Sequence, residues 1–220
     1  MMDIGKSFTY IFEDKKWISK LLIGVLISWV PILQLALFGY ANEIIRRVEG
    51  QNPEPLSDWD DLGKKFVEGL VLALAMIIYN LPILILSCLF VPFLASAGAF
   101  EGDTQTVVAA VSSGLGLLLS CLFILYGLFL SFILPAIQIY YAKVGTFKSC
   151  FQVREITHFA TSNLSNYILA WLIYLVFGIL ASIVTGVIPC IGWIAALAVP
   201  VLTIMVYGHA FGQVVAQAAA

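Results

Sequence analysis

Long uncharged stretches, separated by short charged ones, dominate the chain. Leu21 to Ala41, Gly69 to Phe100, Thr104 to Ala142, and Thr157 to Ala220 contain no Asp, Glu, Lys or Arg. A bilayer core about 30 Å thick is crossed by roughly 20 apolar residues in a helix. Each stretch reaches that length, and the last is long enough for two passages. None alternates apolar and polar positions as the strands of a membrane barrel do. A helix satisfies its own backbone N–H and C=O groups in lipid. The pattern therefore predicts an all-α membrane protein, a polytopic helical bundle with about four full spans.

Periodicity places the elements along a single membrane domain, 1–220. In residues 3–16, Ile4, Phe8, Ile11 and Phe12 fall at helical spacing with charges opposite, which predicts an amphipathic helix lying in the interface. Residues 18–45 form a broken helix or hairpin, because Pro31 removes a helix hydrogen bond mid-run. Asn52-Pro53-Glu54-Pro55 cannot be helical. Ser57 then reads as an N-cap with Asp60 in the capping-box position, predicting a second interfacial helix over 57–66 with Trp59, Leu62 and Phe66 on one face. Transmembrane helices are predicted over 67–96, 105–142, 164–187 and 192–216, with kinks at Pro82, Pro92 and Pro135. The polar segment 143–163 is only weakly amphipathic.

Charge distribution adds orientation. Lys6, Lys15, Lys16 and Lys20 precede the first apolar run, Arg46, Arg47, Lys64 and Lys65 follow it, and Lys143, Lys148 and Arg154 lie in the third polar segment. The loops at 97–105 and 188–192 carry none. Cytoplasmic loops hold the excess of Lys and Arg. Five simple spans leave four basic residues on the wrong side. A re-entrant hairpin at 18–45 puts all 11 in the cytoplasm, with the interfacial helices and the C-terminus. Val187-Ile188-Pro189-Cys190-Ile191 with Tyr207-Gly208-His209-Ala210 echoes Trp29-Val30-Pro31-Ile32-Leu33 with Phe38-Gly39-Tyr40-Ala41. The first copy is shorter by about eleven residues, roughly 16 Å of helix or half a hydrocarbon core. The N-terminal run starts too late, and is too long, for a cleavable signal peptide.

Composition narrows the function classes. The chain is 61% hydrophobic and only 11% charged, against about 25% charged for soluble domains, and its mean hydropathy is +1.01. A net charge of −2 gives no reason to expect nucleic acid. Cys88, Cys121, Cys150 and Cys190 show no metal or redox spacing and read as packing residues.

Several segments together resemble an uncharacterised prokaryotic membrane-protein family, the domain of unknown function 4013. They are Val30-Pro31-Ile32-Leu33-Gln34 followed by Gly39-Tyr40, Leu56-Ser57-Asp58-Trp59-Asp60-Asp61, Tyr141-Ala142-Lys143-Val144-Gly145-Thr146-Phe147, and Ile188-Pro189-Cys190-Ile191-Gly192-Trp193 with Gly212-Gln213. The acidic-Trp-acidic piece after a Pro-rich turn is the most specific. Gln34 departs from the expected Asn or Gly. The resemblance implies a prokaryotic cytoplasmic membrane location and a multi-pass architecture. It brings no activity, and no functional residue is carried over.

Candidate chemistry is sparse. No HExxH, GxSxG, P-loop or metal-ligand spacing occurs, so no catalytic, cofactor or metal residues are expected, and the protein is read as non-enzymatic. His158 reads as a solvated histidine. Asp58, Asp60 and Asp61 read as a charged helix cap. The candidate intramembrane polar groups are Gln34, Asn80, Gln138 and His209, all neutral, which argues against a charge-coupled pump. Small residues four apart let helices approach closely in lipid: Ser112, Gly116 and Ser120; Gly178, Ser182 and Gly186; Gly208 and Gly212. They serve internal packing or self-association. The expected role is a scaffold or accessory subunit whose partners are membrane lipids and other membrane-protein subunits. A passive transporter or channel component is the alternative, and a membrane enzyme comes third.

Overall fold

The computed structural model describes the backbone of residues 2–96, 103–187 and 189–218, and the side chains of 2–88, 113–183 and 198–218. Among the described residues the chain forms helices and turns but no strands. The helices are α1 (Lys6–Glu13), α2 (Trp17–Ser28), α3 (Ala36–Glu49), α4 (Leu62–Ser96), α5 (Asp103–Val144), α6 (Val153–Ser162), α7 (Leu164–Val187) and α8 (Pro189–Ala218). Among the described residues four segments are long and apolar enough to cross a membrane: Leu62–Cys88, Ser113–Val144, Leu164–Ile183 and Ala198–Ala218. The expected all-α membrane bundle is therefore the observed one. Its residues fall into two compact units, one of Met1–Ala75 with Pro135–Ala220, the other Met76–Leu134.

In the first unit α8 is the hub, packing against α1, α2, α3 and α7. Val201, Met205, Val206, Ala210, Phe211, Val214 and Val215 are all buried. A helix apolar on every side is one that neighbours surround. Its seam with α3 is close because two glycines lie there. A Cβ on Gly208 would stand 3.0 Å from Ile44, and one on Gly212 would stand 2.6 Å from Val48. Tyr167 and Tyr174 of α7 meet Phe211 and Tyr207 at ring separations of 5.6 and 5.4 Å.

The first apolar run folds back on itself. Helix α2 ends at Ser28, the chain turns through Pro31 and a 3-10 turn at Leu33–Leu35, and α3 begins at Ala36. Its two ends meet. Lys20, near the start of α2, and Arg47, near the end of α3, both donate to the Leu56 carbonyl, at 2.9 and 3.4 Å. With 12 residues α2 is about 18 Å long, too short to cross a hydrocarbon core. Pro82, Pro135 and Pro200, by contrast, lie within unbroken helices. A proline leaves only a local gap in the ladder. The chain breaks at Pro31, where both arms gain contacts with α8.

The helix expected over 57–66 starts instead at Leu62. Asp61 has φ +51°, a left-handed conformation that a right-handed helix cannot pass through. The carbonyls preceding it accept from side chains: Ser57 from Tyr40 Oη at 2.9 Å and Asp60 from Lys65 Nζ at 2.6 Å. Trp59 stacks on Tyr40 with centroids 4.2 Å apart and donates its Nε1–H to the Lys20 carbonyl at 2.7 Å. Side chains thus take the carbonyls that a helix over 57–66 would have turned to its own amides. The segment 143–163 contains α6, whose buried Ile156 and Ala160 make one clear apolar side.

Helix α4 meets the hairpin backbone to backbone. A Cβ on Gly39 would collide with the Lys65 carbonyl, and one on Gly69 with the Leu35 carbonyl. In the second unit, Tyr126 of α5 donates its hydroxyl to the Tyr79 carbonyl of α4 at 2.5 Å. A Cβ on Gly114, Gly127 or Gly178 meets nothing within 4 Å. Gly39→Ala and Gly69→Ala are therefore expected to destabilise by about 2 kcal/mol or more through overpacking. Gly178→Ala should be neutral or stabilising by up to about 1 kcal/mol from helix propensity. Thermal unfolding in detergent checks the contrast, and equal losses at all three positions would contradict it.

Candidate functional site

The polar residues of the first unit gather into three linked groups. The first surrounds Lys20, only 5% exposed. A buried ammonium needs acceptors for its three N–H groups. Asp14 Oδ2 at 2.6 Å, Asp58 Oδ1 at 3.0 Å and the Leu56 carbonyl provide them. Asp58 of the acidic run is thus an ion-pair partner. Burial pushes the Asp14 carboxyl up, but hydrogen bonds from Lys20 and the Lys16 amide outweigh it and hold the group below its ordinary value. Glu43 lies between Lys65, 2.6 Å away, and Arg47, 2.8 Å away. It too is lowered, against its burial, chiefly by Lys65.

The second group crosses the hairpin. Arg46 clamps Glu68 with paired bonds of 3.0 and 2.9 Å and turns its Nε–H to the Ala142 carbonyl at 2.8 Å. Asn42 donates to Glu68 at 3.2 Å and accepts from Gln138 Nε2 at 3.1 Å, which also reaches the Phe38 carbonyl at 3.3 Å. Asn42, Glu68 and Gln138 are buried. The network ties α3, α4 and α5 together inside this unit.

The third group joins α1 to α8. The Asp3 amide donates to Gln213 Oε1 at 2.7 Å, and Gln213 Nε2 returns a bond to the Asp3 carbonyl at 3.0 Å. This two-way clamp fixes the amide's orientation. Nε2 also lies 3.1 Å from both Ser7 Oγ and His209 Nδ1. With one of its two N–H groups on Asp3, Gln213 has one left for Ser7 Oγ and His209 Nδ1; where that N–H faces Nδ1, the proton of neutral His209 sits on Nε2. Tyr10 stacks on the imidazole at 4.1 Å and donates its hydroxyl to the Met205 carbonyl at 2.8 Å. Burial raises the Tyr10 hydroxyl well above its ordinary value. Beside this group lies a cavity of about 370 Å³, lined by Lys6, Glu13, Gln51, Asn52, His209 and Gln213 among others.

The sequence candidates separate accordingly. Gln138 and His209 are buried members of these networks. Gln34 is exposed in the 3-10 turn, and Asn80 bonds back to Met76 of its own helix at 2.8 Å. Gly208 and Gly212 form the α3 seam. Ser120 and Ser182 donate to Gly116 and Gly178 one turn back, both at 2.8 Å. Gly178 and Ser182 line an open groove with Tyr174 and Thr203. The side chains of Ser112 and Gly186 lie outside the described residues. His158 is exposed, and burial pushes the Cys150 thiol up to about 11. Sequence reasoning missed Ser7, Tyr10, Asn42, Arg46, Glu68 and Gln213 as network members. The four-residue spacing of Asn42 with Arg46, and a carboxylate one turn inside an apolar helix at Glu68, were the available signals.

Fold and networks together define a helical bundle of membrane type, with all its Lys and Arg in one unit. The chain matches the family model described as "Protein of unknown function (DUF4013)" over residues 22–190. It belongs to that family. Comparison with curated proteins and with solved structures found no match.

Asp14 and Glu43 give the rim an acid-sensitive contact. A carboxylate lowered on folding contributes stability above its ordinary value, 3.8 for Asp14 and 4.5 for Glu43, and loses it as pH falls through the folded value. The melting temperature is expected to hold from pH 7 to 5 and drop below about 4.5. Asp14→Asn should lower it at pH 7 and flatten the acid limb. An unchanged limb in that variant would remove Asp14 from the account.

Proposed function

We propose that the protein is a non-enzymatic scaffold or accessory subunit of a prokaryotic cytoplasmic membrane, binding lipid or partner membrane proteins. The observation that carries this reading is the contrast between spans. In the most apolar 18-residue window of each, 61% of residues are buried for the α8 span but only 11% for the α5 span. Leu117, Leu118, Leu122, Ile124, Leu125 and Leu128 of α5 are all exposed. A long apolar face without protein cover has lipid or another membrane protein as its natural neighbour.

The polar groups support the same reading. Asn42, Glu68 and Gln138 are consumed by one another, as a structural network requires. Ser7 and His209 resemble a nucleophile–base pair, at 3.4 Å. Ser7, however, is fully buried, which keeps a substrate carbonyl from its hydroxyl. All 11 Lys and Arg belong to the first unit, which favours a cytoplasmic rim and C-terminus. The meeting of Lys20 and Arg47 at one carbonyl favours a hairpin that enters and leaves on that side.

Two measurements test the reading. Single cysteines at Lys6 and Glu54, in a cysteine-free background, should label from one compartment, and one at Asp103 from the other. Labelling of Lys6 and Glu54 from opposite sides would contradict the re-entrant hairpin. Gln138→Leu should cost about 1 kcal/mol through its lost interhelical bond, and Asn80→Leu less. Solute flux in reconstituted vesicles should be absent with either. Robust flux in the native protein, abolished by either change with stability intact, would replace the scaffold with a transporter.

A further inference from the structure

The cavity beside His209 holds polar groups that the networks leave unused. His209 is 3% exposed. Its Nδ1 faces Gln213 Nε2 and Ser7 Oγ, whereas its Nε2 has no partner among the described residues; in the tautomer with the proton on Nε2, that N–H is left without an acceptor. Lys6 and Glu13 line the same cavity from α1, and neither side chain has an ion-pair partner among the described residues. They stand seven residues apart, two helical turns, on one side of α1. The cavity thus presents a cation and a buried N–H donor, and separately a carboxylate.

That combination selects the ligand. A simple anion would satisfy Lys6 and His209 but face Glu13 unfavourably. A simple cation would do the reverse. A zwitterion answers both. No Phe, Tyr or Trp lines the cavity, so it lacks the aromatic cage that suits a quaternary ammonium. Gln51 offers an amide oxygen to N–H donors, and the Asn52 Oδ1, which accepts from the Glu54 amide at 3.1 Å, keeps a second lone pair. The cavity also lies beside the last turns of the α8 span, next to a helix whose Ile4 and Phe12 flanks are exposed. An amphipathic helix at a span's end lies at headgroup depth.

We propose that this cavity binds a phosphodiester headgroup bearing a primary ammonium, of the phosphoethanolamine type. A phosphate oxygen accepts from His209 Nε2 and Lys6, and the ammonium donates to Glu13. The inference deepens the lipid-binding part of the scaffold reading and rests on it.

The test uses the full chain in detergent, titrated with phosphatidylethanolamine, phosphatidylcholine, phosphatidylglycerol and free phosphoethanolamine, with bound lipid read by native mass spectrometry. Phosphatidylethanolamine should bind about tenfold more tightly than either other lipid, the worth of one charge-assisted hydrogen bond. Lys6→Gln and Glu13→Gln alter exposed side chains, so both should fold. Each should weaken phosphatidylethanolamine about tenfold, and Glu13→Gln should also erase its advantage over phosphatidylcholine. Lys148→Gln, which changes a charge outside the cavity, should leave binding unchanged. Competition by free phosphoethanolamine at equal affinity would uphold the site and make its ligand a soluble ester. Failure to compete, with selectivity intact, would uphold the lipid. Equal binding of the three lipids, or an unaffected Glu13→Gln variant, would overturn the proposal. Non-selective lipid binding would persist in that case if the scaffold reading is right, and vesicle flux tests that reading separately.

Discussion

At the Leu56 carbonyl an ammonium from the beginning of the hairpin and a guanidinium from its end share one acceptor. That shared oxygen holds the first unit together at its polar edge. Without it, Lys20 would be a buried cation with a carbonyl missing from its shell, and the two arms would lose their common anchor. The loop's lack of helical structure follows from the same demand. Carbonyls at 56, 57 and 60 serve Lys20, Arg47, Tyr40 and Lys65, and a helix there would have turned them toward its own amides. Trp59 then covers the Lys20 carbonyl and stacks on Tyr40, closing the edge over both arms.

Within the bundle, close approach and polar bonding divide the work. Gly208 and Gly212 bring α3 against α8, while Gly39 and Gly69 bring the hairpin against α4. The absence of side chains at these points lets backbones meet, which apolar packing in lipid favours. Arg46, Glu68, Asn42 and Gln138 then fix which helices meet and in what register, since each leaves another unsatisfied if displaced. From α8, Gln213 grips both backbone groups of Asp3, just ahead of α1, and its amide nitrogen also faces Ser7 and the imidazole of His209. The grip and the cavity's chemistry come from the same side chain.

Much of the architecture was legible in the chain. The uncharged runs marked the spans, and Pro31 marked the point where the first apolar run turns back. Hydropathy and sterics act locally, so sequence carries them openly. The helix expected from Ser57 does not form there because the carbonyls at 56, 57 and 60 are claimed by side chains from 5 to 36 positions away, Lys65 at Asp60 the nearest and Lys20 at Leu56 the farthest. Of the polar candidates, Gln138 and His209 proved central and Asn80 self-satisfied. Nothing in local pattern distinguishes an amide that bonds its own helix from one that bridges two. The cavity was invisible for the same reason, since its lining comes from α1, the 51–55 loop and α8.

The hub's position in the chain bears on how the protein assembles. Tyr10 and Met205, which bond, are 195 residues apart, and Asp3 and Gln213 are 210 apart. Helix α2 is too short to rest across a bilayer, and its packing surface on α8 does not exist until α8 has been synthesised. During translation α1, α2 and α3 therefore lack their shared packing surface until α8 follows. Contacts of such long sequence separation form late and slowly because loop closure precedes their reward. Until α8 arrives, the apolar surface that it covers in the folded chain stays exposed, and that interval is when a nascent chain most needs protection.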